Sequence, residues 1–256
     1  MGQTQTLSHA RLQCLLRMAD GSLILAQRQA EWCGHAPVLE EDIAFTNIAL
    51  DLLGQARLLY THAGAIEGEG RDEDAFAYWR GESEFLNPTI VELPNGDFAH
   101  SVLRSYLYCA YQQTLWAALT ESRDAGLVAI SQKSAKETRY HVEHLALWVR
   151  RLGDGTAESH TRMQRAVDYL WPYCSELLVS DPIEQQAHQD GMVPLSTALE
   201  APWRALVETC LRAATLSVPT STPFRSTGRL GRHSEHLGRL LAEMQSLARA
   251  HPGGKW

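Results

Sequence analysis

Apolar residues recur at steps of three and four along most of the chain, the period of helices with one buried face. A first helix is predicted over about Leu7–Trp32, with Leu12, Leu15, Ala19, Leu23, Ala26 and Ala30 inward, ended by Gly34 and Pro37. A second opens on Glu40, Glu41 and Asp42, acids suited to a helix N-terminus, and runs to about His62. Residues 63–97 are mixed, with a short helix near Asp74–Trp79 and a loop at Leu93–Asp97. Asp97 is the expected N-cap of a third helix, Phe98–Ser122. A fourth spans residues 127–152 and ends at Gly153 and Gly155; a fifth spans about Ala157–Leu178. After Pro182 come a polar stretch, a helix over about Ser196–Leu216, a linker over 217–232 and a last helix, Ser234–Ala250. No strand-like alternation and no solenoid-length repeat interrupts this order. Four helices of about 25 residues, each about 37 Å long, predict an all-α, ferritin-like four-helix bundle with additional C-terminal helices. One domain over 1–256 is expected, and the long stretch between the second and third helices suits the crossover such a fold requires.

The fourth helix carries the candidate chemistry. Its stripe reads Leu127, Ile130, Ser134, Glu137, His141, Leu145, Trp148 and Leu152, apolar at both ends and polar in the middle. A Glu–His pair on the inward face of a bundle helix suggests half of a carboxylate-bridged metal pair. A di-iron site needs one Glu from each of two helices and a Glu-x-x-His from each of the other two. Carboxylates supply hard oxygen ligands and histidines supply nitrogen. Here Glu137 and His141 are four apart, and Thr138 holds the Glu-x-x-His position. On the second helix the stripe Ala44, Ile48, Asp51, Gln55, Leu58 has one acid, Asp51, and three residues later comes Gly54. The third helix has no Asp or Glu from Phe98 to Thr120. The first has Asp20 and Glu31, but its mid-stripe polar residue reads as Gln27. The census therefore predicts a vestigial site at Asp51, Glu137 and His141 and no metal. Buried unpaired carboxylates are costly, so these two are expected to pair with His141 and some of Arg28, Arg57, Arg104, Lys133, Lys136 and Arg139. A plain amphipathic helix with Glu137 or Asp51 facing solvent is the alternative.

Composition narrows the class. The chain has 256 residues, 45% of them hydrophobic, enough for a substantial core. A net charge of −7, from 23 basic and 30 acidic residues, argues against nucleic-acid binding. The cysteines Cys14, Cys33, Cys109, Cys174 and Cys210 are scattered without a CxxC spacing, which predicts neither disulfides nor zinc and suits a reducing cytoplasm. No export signal and no membrane span is expected. No catalytic Ser–His–Asp set or nucleotide-binding glycine loop is visible.

Several segments together resemble a known family. They are Glu31-Trp-Cys-Gly-His-Ala-Pro37, Leu50-Asp-Leu-Leu-Gly-Gln-Ala-Arg57, Leu93-Pro-Asn-Gly-Asp-Phe98 and Glu121-Ser-Arg-Asp124. Lys136-Glu-Thr-Arg-Tyr-His141, His233-Ser-Glu-His-Leu-Gly238, Leu241-Ala-Glu-Met-Gln245 and Trp256 continue the set. In this order they resemble the phenylacetyl-CoA epoxidase C subunits. The resemblance implies a ferritin-like, structural and non-catalytic partner of a homologous A subunit that carries the iron pair. It implies further partners, a small accessory subunit and an NADPH-fed reductase with FAD and an iron–sulfur cluster, and self-association into a homodimer when alone. The assembled oxygenase would convert phenylacetyl-CoA to its ring-1,2-epoxide in aerobic phenylacetate degradation. A CoA-thioester-binding module and a stand-alone di-iron oxidoreductase remain as alternatives.

Two further features have open readings. Arg225, Arg229, Arg232 and His233 form a basic run that would meet CoA phosphates or an acidic partner, or else be a solvated linker. His233 and His236 suit a capping or partner-contact role better than a metal. Tyr106, Tyr108, Tyr111 and Trp116 cannot share one face of the third helix. Helices two and three are therefore expected to contact the A subunit, with exposed aromatics marking the interface.

Overall fold

The computed structural model describes residues 2–220 and 223–254, with side chains from residue 8 onward. Among these residues all the regular elements are helices, so the chain is all-α. Four helices are long: α1 (Gly2–Ala30), α2 (Leu39–Glu67), α5 (Phe98–Leu119) and α6 (Ala125–Gly153). Shorter ones are α3 (Glu73–Tyr78), α4 (Thr89–Glu92), α7 (Ala157–Cys174), α8 (Pro182–Gln189), α9 (Glu200–Ala213) and α10 (Glu235–Ala250). Four long helices are the complement that a ferritin-like bundle takes.

The residues group into two compact units where the sequence suggested one domain. The first comprises Met1–Pro94 and Thr227–Trp256. Within it α1 and α2 pack along their length, and α10 packs on α3 and α4. From Cys14 to Ala26 α1 is buried on every side. Helix α2 runs five residues beyond the predicted His62, passes through Gly64 in helical conformation, and ends at Gly68, whose φ of 74° is left-handed. The segment 227–232, predicted as part of a linker, contains a 3-10 turn over Gly228–Leu230. A Cβ on Gly228 would collide with the Asn87 carbonyl, so only glycine permits this approach.

The second unit is Asn95–Ser226. Helices α5 and α6 form an antiparallel pair, with Phe98 at the start of α5 edge-on to Trp148 near the end of α6, centroids 5.2 Å apart. Helices α7 and α9 pack on both. Asp97 caps α5 by accepting from the His100 amide at 2.9 Å, as predicted. Asp124 caps α6 in the same way. The predicted polar stretch after Pro182 contains α8, capped by Asp181 with proline in its first turn.

Candidate functional site

Helix α6 buries Leu127, Ile130, Ser134, Thr138, His141, Leu145 and Val149 on one line. The predicted stripe was one position out at its centre. Glu137 sits at the margin, its side chain 23% exposed and 3.8 Å from Lys133, whereas Thr138 is wholly buried. The same drift occurs on α2, where Leu52, Gln55 and Leu59 are buried and Asp51 and Leu58 are only half-buried. Thr138 lies three residues before His141, where a Glu-x-x-His motif supplies a bridging carboxylate. A neutral hydroxyl cannot bridge two cations as a carboxylate does. Helix α5 adds Ser101, Arg104, Ser105 and Gln112 as buried polar residues and no acid. Among the described residues no three of His, Cys, Asp and Glu converge in a group able to hold a metal ion. The side chains present do not fit an iron pair. Several cations expected to neutralise this centre have partners elsewhere: Arg28 with Glu31, Arg57 with Glu73, and Arg104 with Asn95.

The fully buried charge of α1 is Asp20, not a residue at Gln27, which is half-buried. Asp20 accepts hydrogen bonds from Tyr60 at 2.5 Å, from the Leu86 amide at 2.7 Å and from both terminal nitrogens of Arg80. Arg80 also donates to the carbonyls of Phe76 and Glu84 and lies 4.3 Å from the Phe85 ring centroid. Burial works against the Arg80 charge, but the adjoining Asp20 carboxylate outweighs it and the guanidinium pKa is raised. Burial, then the Asp20 charge, pushes the Tyr60 hydroxyl well above its usual range. This cluster was missed. Its signal was Asp20 as the one acid in the α1 sequence, set between Leu15-Leu16 and Leu23-Ile24-Leu25 in the part of the helix that is buried, where a carboxylate demands a cation.

A second enclosed carboxylate belongs to Glu92. It accepts from His233 Nδ1 at 2.8 Å, Asn87 Nδ2 at 2.8 Å and the Ser234 amide at 2.6 Å. His233 Nε2 lies 2.8 Å from the Phe85 carbonyl, and neither the His233 nor the Glu92 side chain is exposed. His233 is thus enclosed rather than turned to solvent, which agrees with the capping alternative and not with a phosphate contact. It fastens the start of α10, which Ser234 caps.

The other members of the basic run belong to different units. Arg229 and exposed Arg232 lie in the first unit, and the Arg229 carbonyl accepts from Arg17 Nε at 3.2 Å. Arg225 lies in the second, on the rim of a cleft lined by Trp171, Leu178, Glu200, Trp203 and Arg204. Glu200 already binds Arg204 there, at 2.8 Å.

The aromatic residues of α5 do not mark an interface. Tyr106, Tyr108, Tyr111 and Trp116 are all buried, because α5 is covered by α6, α7 and α9. Exposed apolar side chains lie instead on α2, at Leu39, Ile43 and Leu50. No helix among the described residues is long and apolar enough to cross a membrane.

This all-α chain, with no metal-holding group of His, Cys, Asp and Glu among its described residues, matches a known family over nearly its whole length. The chain belongs to the phenylacetic acid catabolic protein family, whose model matches residues 2–256. It is 46% identical over 241 residues to the C subunit of the 1,2-phenylacetyl-CoA epoxidase of Escherichia coli (strain K12), a match covering 94% of this chain and 97% of that one.

Proposed function

We propose that this chain is the non-catalytic structural subunit of a multicomponent 1,2-phenylacetyl-CoA epoxidase in aerobic phenylacetate degradation. In this reading it supports a homologous A subunit that holds the iron pair. A small accessory subunit and a reductase carrying FAD and an iron–sulfur cluster complete the assembly, which works in the cytoplasm. The observation that carries the non-catalytic role is buried Thr138 three residues before buried His141, in the place of a bridging carboxylate. The absence of any acid on α5 supports it. Asp51, Glu137 and His141 are then the remnant of an ancestral metal site, not ligands.

The test is co-expression with the catalytic A subunit, followed by size-exclusion chromatography, metal analysis and an epoxidation assay. Both chains are expected in one peak, with iron contributed by the A subunit and activity lost when this chain is omitted. Glu137→Gln should leave the iron content unchanged. Stoichiometric iron pairs in this chain purified alone would overturn the reading. Calorimetry with phenylacetyl-CoA separates scaffolding from CoA-thioester binding, since a pure scaffold gives no binding heat.

A further inference from the structure

The second unit contains a cleft that the proposed function leaves unused. Two of its walls are helical faces of identical spacing: Trp171, Cys174 and Ser175 where α7 ends, and Glu200, Trp203 and Arg204 on α9. The two indoles are buried, with ring centroids 5.7 Å apart. Trp203 Nε1 donates to the Leu107 carbonyl at 3.1 Å, so this ring is fixed before anything binds. A third wall is the segment that carries Arg225, and it is fastened on both sides. The Phe224 ring meets Tyr173 edge-on with centroids 5.1 Å apart, and the Phe224 carbonyl accepts from Ser175 Oγ at 3.3 Å. On the other side Ser226 Oγ donates to Glu176 at 2.6 Å. Three ties hold Arg225 at the mouth of the cleft, where a solvated linker would need none.

The charges of the cleft favour an anion. Two guanidiniums and one carboxylate line it, and that carboxylate, Glu200, is already bound to Arg204 Nε at 2.8 Å. Glu208 takes Arg204 Nη1 at 3.4 Å, which leaves Nη2 for an incoming acceptor. The same guanidinium stands 6.0 Å from the Trp171 ring centroid, so cation and aromatic surface adjoin. Burial pushes the Cys174 thiol up, so it stays neutral and repels no anion. Size narrows the ligand further. The cleft holds about 200 Å³, whereas an apolar cavity of about 150 Å³ is enough for benzene. One benzene-sized ring with a short acid side chain therefore fits, and a nucleotide does not. Indoles accept a further ring edge-on or offset, and a guanidinium fork matches a carboxylate. We propose that this cleft binds a monocyclic aromatic carboxylic acid, its ring against Trp171 and Trp203 and its carboxylate at Arg225 and Arg204. The inference does not rest on the function proposed above.

Calorimetric titration of the full chain with benzoate and with phenylacetate tests it. At least one of these acids should bind one to one with Kd below about 1 mM. Arg225→Ala should weaken that binding about tenfold, the scale of one lost charge-assisted hydrogen bond, with an unchanged helical circular dichroism spectrum. Arg225→Glu should abolish it. Benzyl alcohol, which keeps the ring without the carboxylate, should bind at least about tenfold more weakly than the acid. Phenylacetyl-CoA, whose thioester has no carboxylate to offer, should not displace the acid. Absence of heat from both acids, benzyl alcohol binding as tightly as they do, indifference to Arg225→Ala, or displacement by phenylacetyl-CoA would overturn the inference. Each of these results leaves the metal and epoxidation assays where they stand, so the two readings fail separately.

Discussion

His233 Nδ1 lies 2.8 Å from Glu92 Oε2, with neither side chain exposed to solvent. The other ring nitrogen faces the Phe85 carbonyl, which only accepts, so Nε2 carries a proton. His233→Ala removes both hydrogen bonds and leaves the Glu92 carboxylate to Asn87 and the Ser234 amide. A loss of about 1–3 kcal/mol is expected, the scale for leaving a buried acceptor short of a hydrogen-bond partner. Urea unfolding measures it, and hydrogen exchange should show α10 opening first.

Asp20 should be the more sensitive position. Asp20→Ala strands the Arg80 guanidinium in the core and should cost about 3–5 kcal/mol. Tyr60→Phe deletes one of the hydrogen bonds to Asp20 and leaves Arg80 and the Leu86 amide in place, so about 1 kcal/mol is expected. Equal losses in the two variants would contradict the assignment of Asp20 and Arg80 as the centre of the cluster.

His100 supplies a pH dependence. Burial, reinforced by Arg104, lowers its pKa from 6.5 to about 4. The folded chain thus resists a proton that the unfolded chain accepts. Stability is complete above about pH 6.5 and is lost as pH falls toward 4. Between pH 7 and pH 4.5 the wild type should lose more stability than His100→Phe, read from their unfolding midpoints. Parallel curves would contradict this.

Thiol reactivity should be confined to one position. Cys33 is exposed, and Cys14, Cys109, Cys174 and Cys210 are buried. Burial pushes the Cys109 thiol up to about 12. Iodoacetamide treatment of the native chain followed by peptide mass spectrometry should find Cys33 modified and the other four protected until denaturant is added.

Helical periodicity made the long helices readable because each presents several turns of one repeating face. Their ends were readable where a side chain defines them, as Asp97 does for α5. Periodicity does not separate neighbours 100° apart, and for this reason the sequence points to Glu137 where the buried position is Thr138. The Asp20–Arg80 pair joins residues sixty apart in sequence, and Glu92–His233 joins residues 141 apart. No local pattern records such pairs. The aromatic residues of α5 misled for a related reason: rings on several faces suit a helix surrounded by neighbours in its own chain as well as one at an interface.

The order in which this chain emerges during synthesis follows from the Glu92 centre. The residues that close it, His233 and Ser234, are made 141 and 142 positions later. The second unit, Asn95–Ser226, leaves the ribosome whole before the first unit has received its last strap. A chain stopped short of residue 233 would hold a carboxylate missing two of its partners inside an incomplete core. The enclosed Glu92 thus makes the arrival of His233 and Ser234 the closing step of the first unit, so that a chain cut before them differs from an uncut one in stability.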